Sequence, residues 1–242
     1  MTDPHLFADR SGELRGTNTY ASFNSVLDHY SKSNWQADWI ALTGDLIQDD
    51  DPASYDHFRT LLQDFGLPVL CVPGNHDDRA AMRRKLSDPP FAYCGSLRAG
   101  QWEVVGIDSC VEGQAGGRVA DDELERLSAM LANSDAEHHC VCLHHPPVDV
   151  HSQWLDSVGL DASEALLDRL EAAGSVRLVL FGHVHQAVEQ NRRGIRIVGT
   201  PSTCRQFMPG AKTFAVDQRP PAYRRVELND DGSLRSELVW ID

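Results

Sequence analysis

No apolar run in this chain approaches the roughly 20 residues that a membrane-spanning helix needs. The opening residues, Met1-Thr2-Asp3-Pro4-His5, are neither basic nor apolar, so they do not read as a signal peptide. Positive charge is scarce: 22 Lys and Arg face 36 Asp and Glu, a net charge of −14. That balance argues against a nucleic-acid partner or an anionic membrane surface. None of the six cysteines forms a C-x-x-C pair, and Cys140-Val141-Cys142 on a strand would point to opposite faces, which excludes a zinc knuckle. Most cysteines sit inside apolar runs, as small buried hydrophobes in a reducing compartment do, and a cytoplasmic location is expected. The glycine-rich stretch Gly113 to Gly117 lacks the G-x-x-x-x-G-K-[ST] phosphate cradle. There is no internal repeat, low-complexity tract or linker, so residues 1–242 are expected to form one domain.

Histidine is what the chain has in quantity. There are 11, several of them at turns. Val69-Leu70-Cys71-Val72 is a short apolar run stopped by Pro73-Gly74, the pattern of a buried strand entering a tight turn. The turn then carries Asn75, His76 and Asp77. Trp39 to Thr43 ends likewise at Gly44-Asp45. His139 to Leu143 ends at His144-His145-Pro146-Pro147, and Val176 to Phe181 ends at Gly182-His183-Val184-His185. Asp3-Pro4-His5 comes before the first of these. Each turn taken singly also reads as an ordinary Asx loop, a structural histidine or a loose tail. Together they place seven N and O donors on one sheet edge, where ligands bind in open α/β sheets.

Helices are predicted between these strands. Phe23, Val26, Leu27 and Tyr30 follow i, i+3, i+4, i+7 spacing, as do Phe58, Leu61, Leu62 and Phe65. Asp51-Pro52 reads as the start of the second helix, which makes Asp49-Asp50-Asp51 a solvated helix start rather than a metal site. Asp121 is expected to cap a helix with Leu124, Leu127 and Leu131 inward. Asp161-Ala162-Ser163-Glu164 has the form of a capping box before Leu166, Leu167 and Leu170. Residues 91–108 are expected to hold two antiparallel strands around Gly95 and Gly100. The C-terminal third reads as β: Gly194 to Gly199, Lys212 to Val216, Ala222 to Leu228, and Leu234 to Ile241, the last two joined by the hairpin signal Asn229-Asp230-Asp231-Gly232. These late strands also offer a surface on which two copies of the chain would pair as a homodimer.

Hard oxygen and imidazole donors without thiolate suit two divalent ions. Two such ions favour in-line displacement at phosphorus and supply the local positive field that an acidic chain needs to hold a phosphate. The ordered motifs D-x-H, G-D, G-N-H-D, H-x-P and G-H-x-H resemble those of the calcineurin-like metallophosphoesterase family over nearly the whole chain. Leu14 to Thr19, Trp154-Leu155-Asp156 and Thr200 to Phe207 are similar to the bacterial class III 3′,5′-cyclic-AMP phosphodiesterases. The resemblance implies a four-layer α/β sandwich of two mixed sheets. It implies one metal on Asp3, His5, Asp45 and His185, and a second on Asp45, Asn75, His144 and His183, with iron, manganese or zinc as the ions. It implies a metal-bound hydroxide attacking cyclic AMP to release 5′-AMP. His76 is expected as the catalytic residue, proton donor or oxygen stabiliser, with Asp77 orienting it or capping the next helix. Arg15, Asn18 and Arg205 are nominated for base or ribose contacts, and the loop from His151 to Trp154 for closing over the nucleotide. In the resembling family a central strand precedes the first Asp. Here only Met1 and Thr2 do, so that strand is expected to be missing, the start of the native chain upstream, and Asp3 and His5 to hang on a free tether.

Overall fold

The fold was described from a computed structural model, over residues 1–241. Two sheets lie face to face with helices outside them. The first sheet holds β1 (Ile40–Thr43), β2 (Val69–Val72) and β3 (Phe91–Tyr93), all parallel, in that order. The second holds β4 (Ser96–Ala99), β5 (Trp102–Gly106), β6 (His138–Cys142), β7 (Val176–Phe181), β8 (Val188–Arg192) and β9 (Ile195–Gly199). Its order is β8-β9-β7-β6-β5-β4, with parallel pairs in the middle and an antiparallel strand at each edge. A hairpin of β10 (Ala222–Leu228) and β11 (Leu234–Trp240) follows.

Strand alternation divides the side chains between layers. Leu70 and Val72 of β2 meet Val104, Cys140, Leu178 and Val198 between the sheets. Val69 and Cys71 turn the other way, onto Phe23 and Leu27 of α1 (Thr19–Lys32), Phe58 and Leu62 of α2 (Ser54–Leu62), and Met82 of α3 (Arg79–Lys85). Val105, Val141, Val179 and Ile197 pack against α4 (Asp121–Asn133), the single-turn α5 (Gln153–Asp156) and α6 (Ser163–Ala173). The order is helix, sheet, sheet, helix, the expected four-layer α/β sandwich. Each fully buried Leu or Val here contributes about 1.5–3 kcal/mol over an exposed one, and that burial fixes where the strands end. All six cysteines are free thiols. Among the described residues no helix is long and apolar enough to cross a membrane.

Several local expectations needed correction. Phe91–Tyr93 pairs parallel with β2 in the first sheet, and only Ser96–Ala99 forms a hairpin with Trp102–Gly106. The apparent capping box fails because Asp161 is drawn into a two-residue parallel pairing with Arg118, while Glu164 pairs with Arg192. Ala162, at φ 51, opens α6 without a side-chain cap. Asp121 is the first residue inside α4, not its cap. Lys212 to Val216 is mostly irregular, with only Val216–Asp217 in a short ribbon. Val188–Arg192 is an edge strand whose one apolar residue, Val188, gives it no sequence signal.

The N-terminal residues are held rather than loose. The Met1 amino group donates to Ala41 O at 3.0 Å and Thr43 N donates to Met1 O at 3.2 Å. Thr203 N donates to Thr2 O at 3.0 Å. A cavity of about 320 Å³ opens beside Met1 between β1 and β10, and none of the seven predicted metal ligands lines it.

Candidate metal centre

Four strands of the two facing sheets deliver the predicted residues to one edge. Asp45 follows β1, Asn75 and His76 follow β2, His144 follows β6, and His183 and His185 follow β7. Asp3 and His5 reach the same place from the N-terminal segment. Asp3 N donates to Gly44 O at 3.1 Å, His5 N to Asp45 O at 3.0 Å, and Leu6 N to Leu46 O at 2.8 Å. Ser202 Oγ donates to Asp3 O at 2.7 Å. The free tether is thus replaced by a zipped segment, with Asp3 and His5 both buried.

The side chains converge in two nests. In one, His5 Nε2 lies 3.2 Å from His185 Nε2 and 3.7 Å from Asp45 Oδ2, and His185 Nε2 lies 3.4 Å from Asp3 Oδ1. In the other, Asn75 Oδ1 lies 3.2 Å from His144 Nε2 and 3.0 Å from His183 Nδ1, and the two ring nitrogens are 3.2 Å apart. His144 Nε2 lies 3.4 Å from Asp45 Oδ1. Asp45 turns one oxygen to each nest. The far nitrogens of two ligands are anchored, His144 Nδ1 on Thr43 O at 2.9 Å and His185 Nδ1 on Arg205 O. Such an anchor fixes a ring's tautomer and aim.

The backbone is strained where it presents these groups. Asp3, His5, Asp45, His183 and His185 all have φ between 49° and 67°. Side-chain-bearing residues rarely adopt that region, at a cost of about 1–3 kcal/mol each, and such strain collects at functional sites. Glycine is needed beside them: a Cβ on Gly74 would collide with the Asp45 amide nitrogen and carboxylate, and one on Gly182 with Thr2, Thr43 O and Asp3.

Burial drives the protonation pattern. It lowers His5 to about 4 and His183 to about 3, so both rings are neutral with lone pairs free. Burial would also lower His144, but the adjacent Asp45 carboxylate overrides it and raises the ring to about 9. Asp45, in turn, is held well below its ordinary value by His144 despite burial. This donor set fits divalent cations: imidazoles, carboxylates and an amide oxygen, crowded nitrogen against nitrogen with no thiolate among them.

His76 stands apart. Its ring is exposed, edge-on to His5 at 5.1 Å, and its Nδ1 lies 3.3 Å from Gln48 Nε2. Its backbone N donates to Asp45 Oδ1 at 2.9 Å. Asp77 makes no hydrogen bond to the His76 ring and does not cap α3, which Asp78 does. Its carboxylate instead knits two turns together, accepting from Gly74 N at 2.9 Å, Leu46 N at 3.1 Å, Ile47 N at 3.2 Å and Tyr55 Oη at 3.0 Å. Burial and the nearby Asp45 charge push Asp77 up to about 7. Tyr55 and Gln48 carry no sequence signal of their own; only the register of the Asp45 turn brings them here. His145, beside His144, has both ring nitrogens in contact with partners, Ser109 Oγ and Ala115 O, and reads as structural. Of the nominated contacts, Asn18 is occupied as the cap of α1, Arg205 turns its carbonyl to His185, and Arg15 lies over Phe214. Trp154 sits in α5 against Phe207 and Phe214.

A family model described as calcineurin-like phosphoesterase matches residues 1–187. The chain belongs to this family. Members are metal-dependent, and the two nests are where divalent ions would sit. The chain is 38% identical over 242 residues to the 3′,5′-cyclic adenosine monophosphate phosphodiesterase CpdA of Haemophilus influenzae, spanning all of this chain and 88% of that protein. It is 36% identical over 239 residues to the protein of the same name from Escherichia coli K12, covering 98% of this chain and 87% of the relative. A dimetal phosphatase from Danio rerio shares the fold at a TM-score of 0.67 and 16% identity, over 100% of this chain and 98% of that one.

Proposed function

We propose that this chain, acting as one domain over residues 1–242, hydrolyses 3′,5′-cyclic AMP to 5′-AMP at a two-metal centre. Asp3, His5, Asp45 and His185 hold one ion, and Asp45, Asn75, His144 and His183 the other, with iron or manganese as the leading candidates and zinc next. The observation that carries the reading is Asp45, whose two oxygens part between the nests, 3.7 Å from His5 Nε2 and 3.4 Å from His144 Nε2. When bound, paired divalent ions supply Lewis acidity and a nucleophilic water at neutral pH. Water adds to phosphorus, the bond to the 3′-oxygen breaks, and that oxygen must gain a proton to leave.

His76 is the residue that supplies this proton. The protonated ring gives one proton to the departing 3′-oxygen and is left as neutral imidazole, with Gln48 Nε2 3.3 Å from its Nδ1. The His76 amide, tied to Asp45, keeps the ring at the edge of the centre. A positioned general acid of this kind is worth about 10²–10⁴ in rate. All the ligands come from one chain, so the site needs no second copy.

The test is hydrolysis of 3′,5′-cyclic AMP by the purified chain loaded with Mn²⁺ or Fe²⁺, with 2′,3′-cyclic AMP and an aryl phosphodiester alongside. Release of 5′-AMP supports the reading. Hydrolysis of the aryl diester alone replaces it with a general diesterase.

A further inference from the structure

Beyond the metal centre lies an apolar patch that the reaction, as derived so far, does not use. Met208 and Phe214 are the exposed large apolar side chains of the described residues, each about 40% exposed. Both sit on one excursion of the chain between β9 and β10. Its base is a short ribbon, Gln206 opposite Asp217 and Phe207 opposite Val216. Phe207, in that ribbon, lies flat on the ring of His185, with centroids 4.0 Å apart and planes 8° apart. Phe214 meets Phe207 at 5.4 Å and Trp154 at 5.4 Å. The Arg15 guanidinium lies over the Phe214 ring, 4.2 Å from its centroid. An aromatic layer thus runs without a break from a predicted metal ligand out to solvent, where it ends in an aromatic ring and a planar cation.

We propose that Phe214 and Arg15 form a stacking platform for the purine base of the nucleotide whose phosphate occupies the metal centre. The inference rests on the cyclic-nucleotide reading above. A cyclic phosphodiester places the base one sugar away from phosphorus, and Phe214 is one aromatic ring beyond His185. Exposure of a large ring costs stability in a free protein, and a flat ligand recovers it. Aromatic rings and guanidinium planes are the surfaces on which single bases stack, and such stacking is tolerant of base identity because every base has a π-face. The ribbon pairing and the contact with Trp154 keep Phe214 in place before any ligand arrives. The platform therefore sets affinity for nucleotides over simple diesters, while leaving the reacting atoms untouched.

The experiment is calorimetric titration of the Mn²⁺-loaded protein with 5′-AMP and, separately, with inorganic phosphate. It uses the wild type, Phe214→Ala, Arg15→Ala and the conservative Phe214→Trp. Phe214→Ala should weaken 5′-AMP binding by roughly tenfold, within the range set by base–aromatic stacking. Arg15→Ala should weaken it less, Phe214→Trp should restore it, and phosphate should bind all four alike. In turnover, Phe214→Ala should raise KM for cyclic AMP at unchanged kcat. Equal binding of 5′-AMP by wild type and Phe214→Ala overturns the platform. So does equal weakening of 5′-AMP and phosphate, or the absence of 5′-AMP binding by the wild type. A wild type that binds 5′-AMP through Phe214 yet does not hydrolyse cyclic AMP overturns the substrate assignment and leaves the platform standing.

Discussion

Gly74→Ala is the substitution that tests the geometry most directly. The added Cβ would meet the Asp45 amide nitrogen and its Oδ1, with Asp45 Cγ at 2.8 Å. None of these is the loose end of a flexible chain. Asp45 N–Cα is backbone between β1 and the rest of its turn, and the carboxylate accepts from His76 N. Relief requires the two turns to part, and overpacking of this kind costs about 1–3 kcal/mol. In a chain of this length each kcal/mol lowers Tm by about 2–4 °C, so a fall of roughly 2–12 °C is expected. Stability alone would not distinguish this from any crowded glycine. The second consequence does: Asp45 serves both nests, so metal content should fall at both sites together. Gly66→Ala is the matched control. It has φ 63° and nothing within 4 Å, so it should cost about 1 kcal/mol from the backbone alone and retain its metals. The assay is metal content by mass spectrometry beside thermal melts of both variants. Two bound ions and an unchanged melt in Gly74→Ala would refute the shared-ligand reading, as would equal metal loss in Gly66→Ala.

Other perturbations separate the roles of neighbouring residues. His76→Ala should lower kcat for cyclic AMP by about 10²–10⁴ with metal content intact; loss of metal would make it a ligand instead. In chelator-treated protein, stability should fall as pH drops from 6 to 4.5. His5, His183 and His145 have depressed folded pKa values, so their stabilisation is complete above the ordinary histidine value near 6.5 and is lost in acid. His139 and the Met1 amino group, also lowered by burial, add to this fall, and Asp77, raised to about 7, opposes it. The net fall is measured by urea unfolding across the window. Asp77→Asn should steepen the slope, and a flat profile would refute the assignment of buried neutral rings.

The strand ends were readable because burial and turn chemistry coincide in them. Val69–Val72 is wholly buried and stops at Pro-Gly, so both its extent and the place of Asn75 follow from the residues. The helices of Phe23 and Phe58 were readable for the same reason, a periodic apolar face. What failed was chemistry shared between distant segments. Asp161 looks like a cap until Arg118 of another element pairs with it. Phe91–Tyr93 looks like half of a hairpin until β2 claims it. Asp77 looks like a neighbour of His76, and is instead the bolt between two turns some 30 residues apart in sequence, with Tyr55 behind it. No local pattern announces such a partner. The positive φ of Asp3, His5, Asp45, His183 and His185 is equally silent, since none of these is the glycine that the conformation prefers.

Those five strained residues set a direction for drift. At each, glycine would relax the backbone and gain about 1–2 kcal/mol, while deleting a side chain proposed to hold metal. Relief at a functional site and loss of function are the same event here, the usual conflict between stability and activity. A lineage released from the need to hydrolyse its substrate would find steps away from catalysis downhill in folding free energy. It would keep the sandwich, whose core lies between and outside the sheets and takes no part in holding metal. Selection for turnover is then what holds this chain at the less stable sequence, and inactive descendants of such a fold should melt higher than their working ancestors.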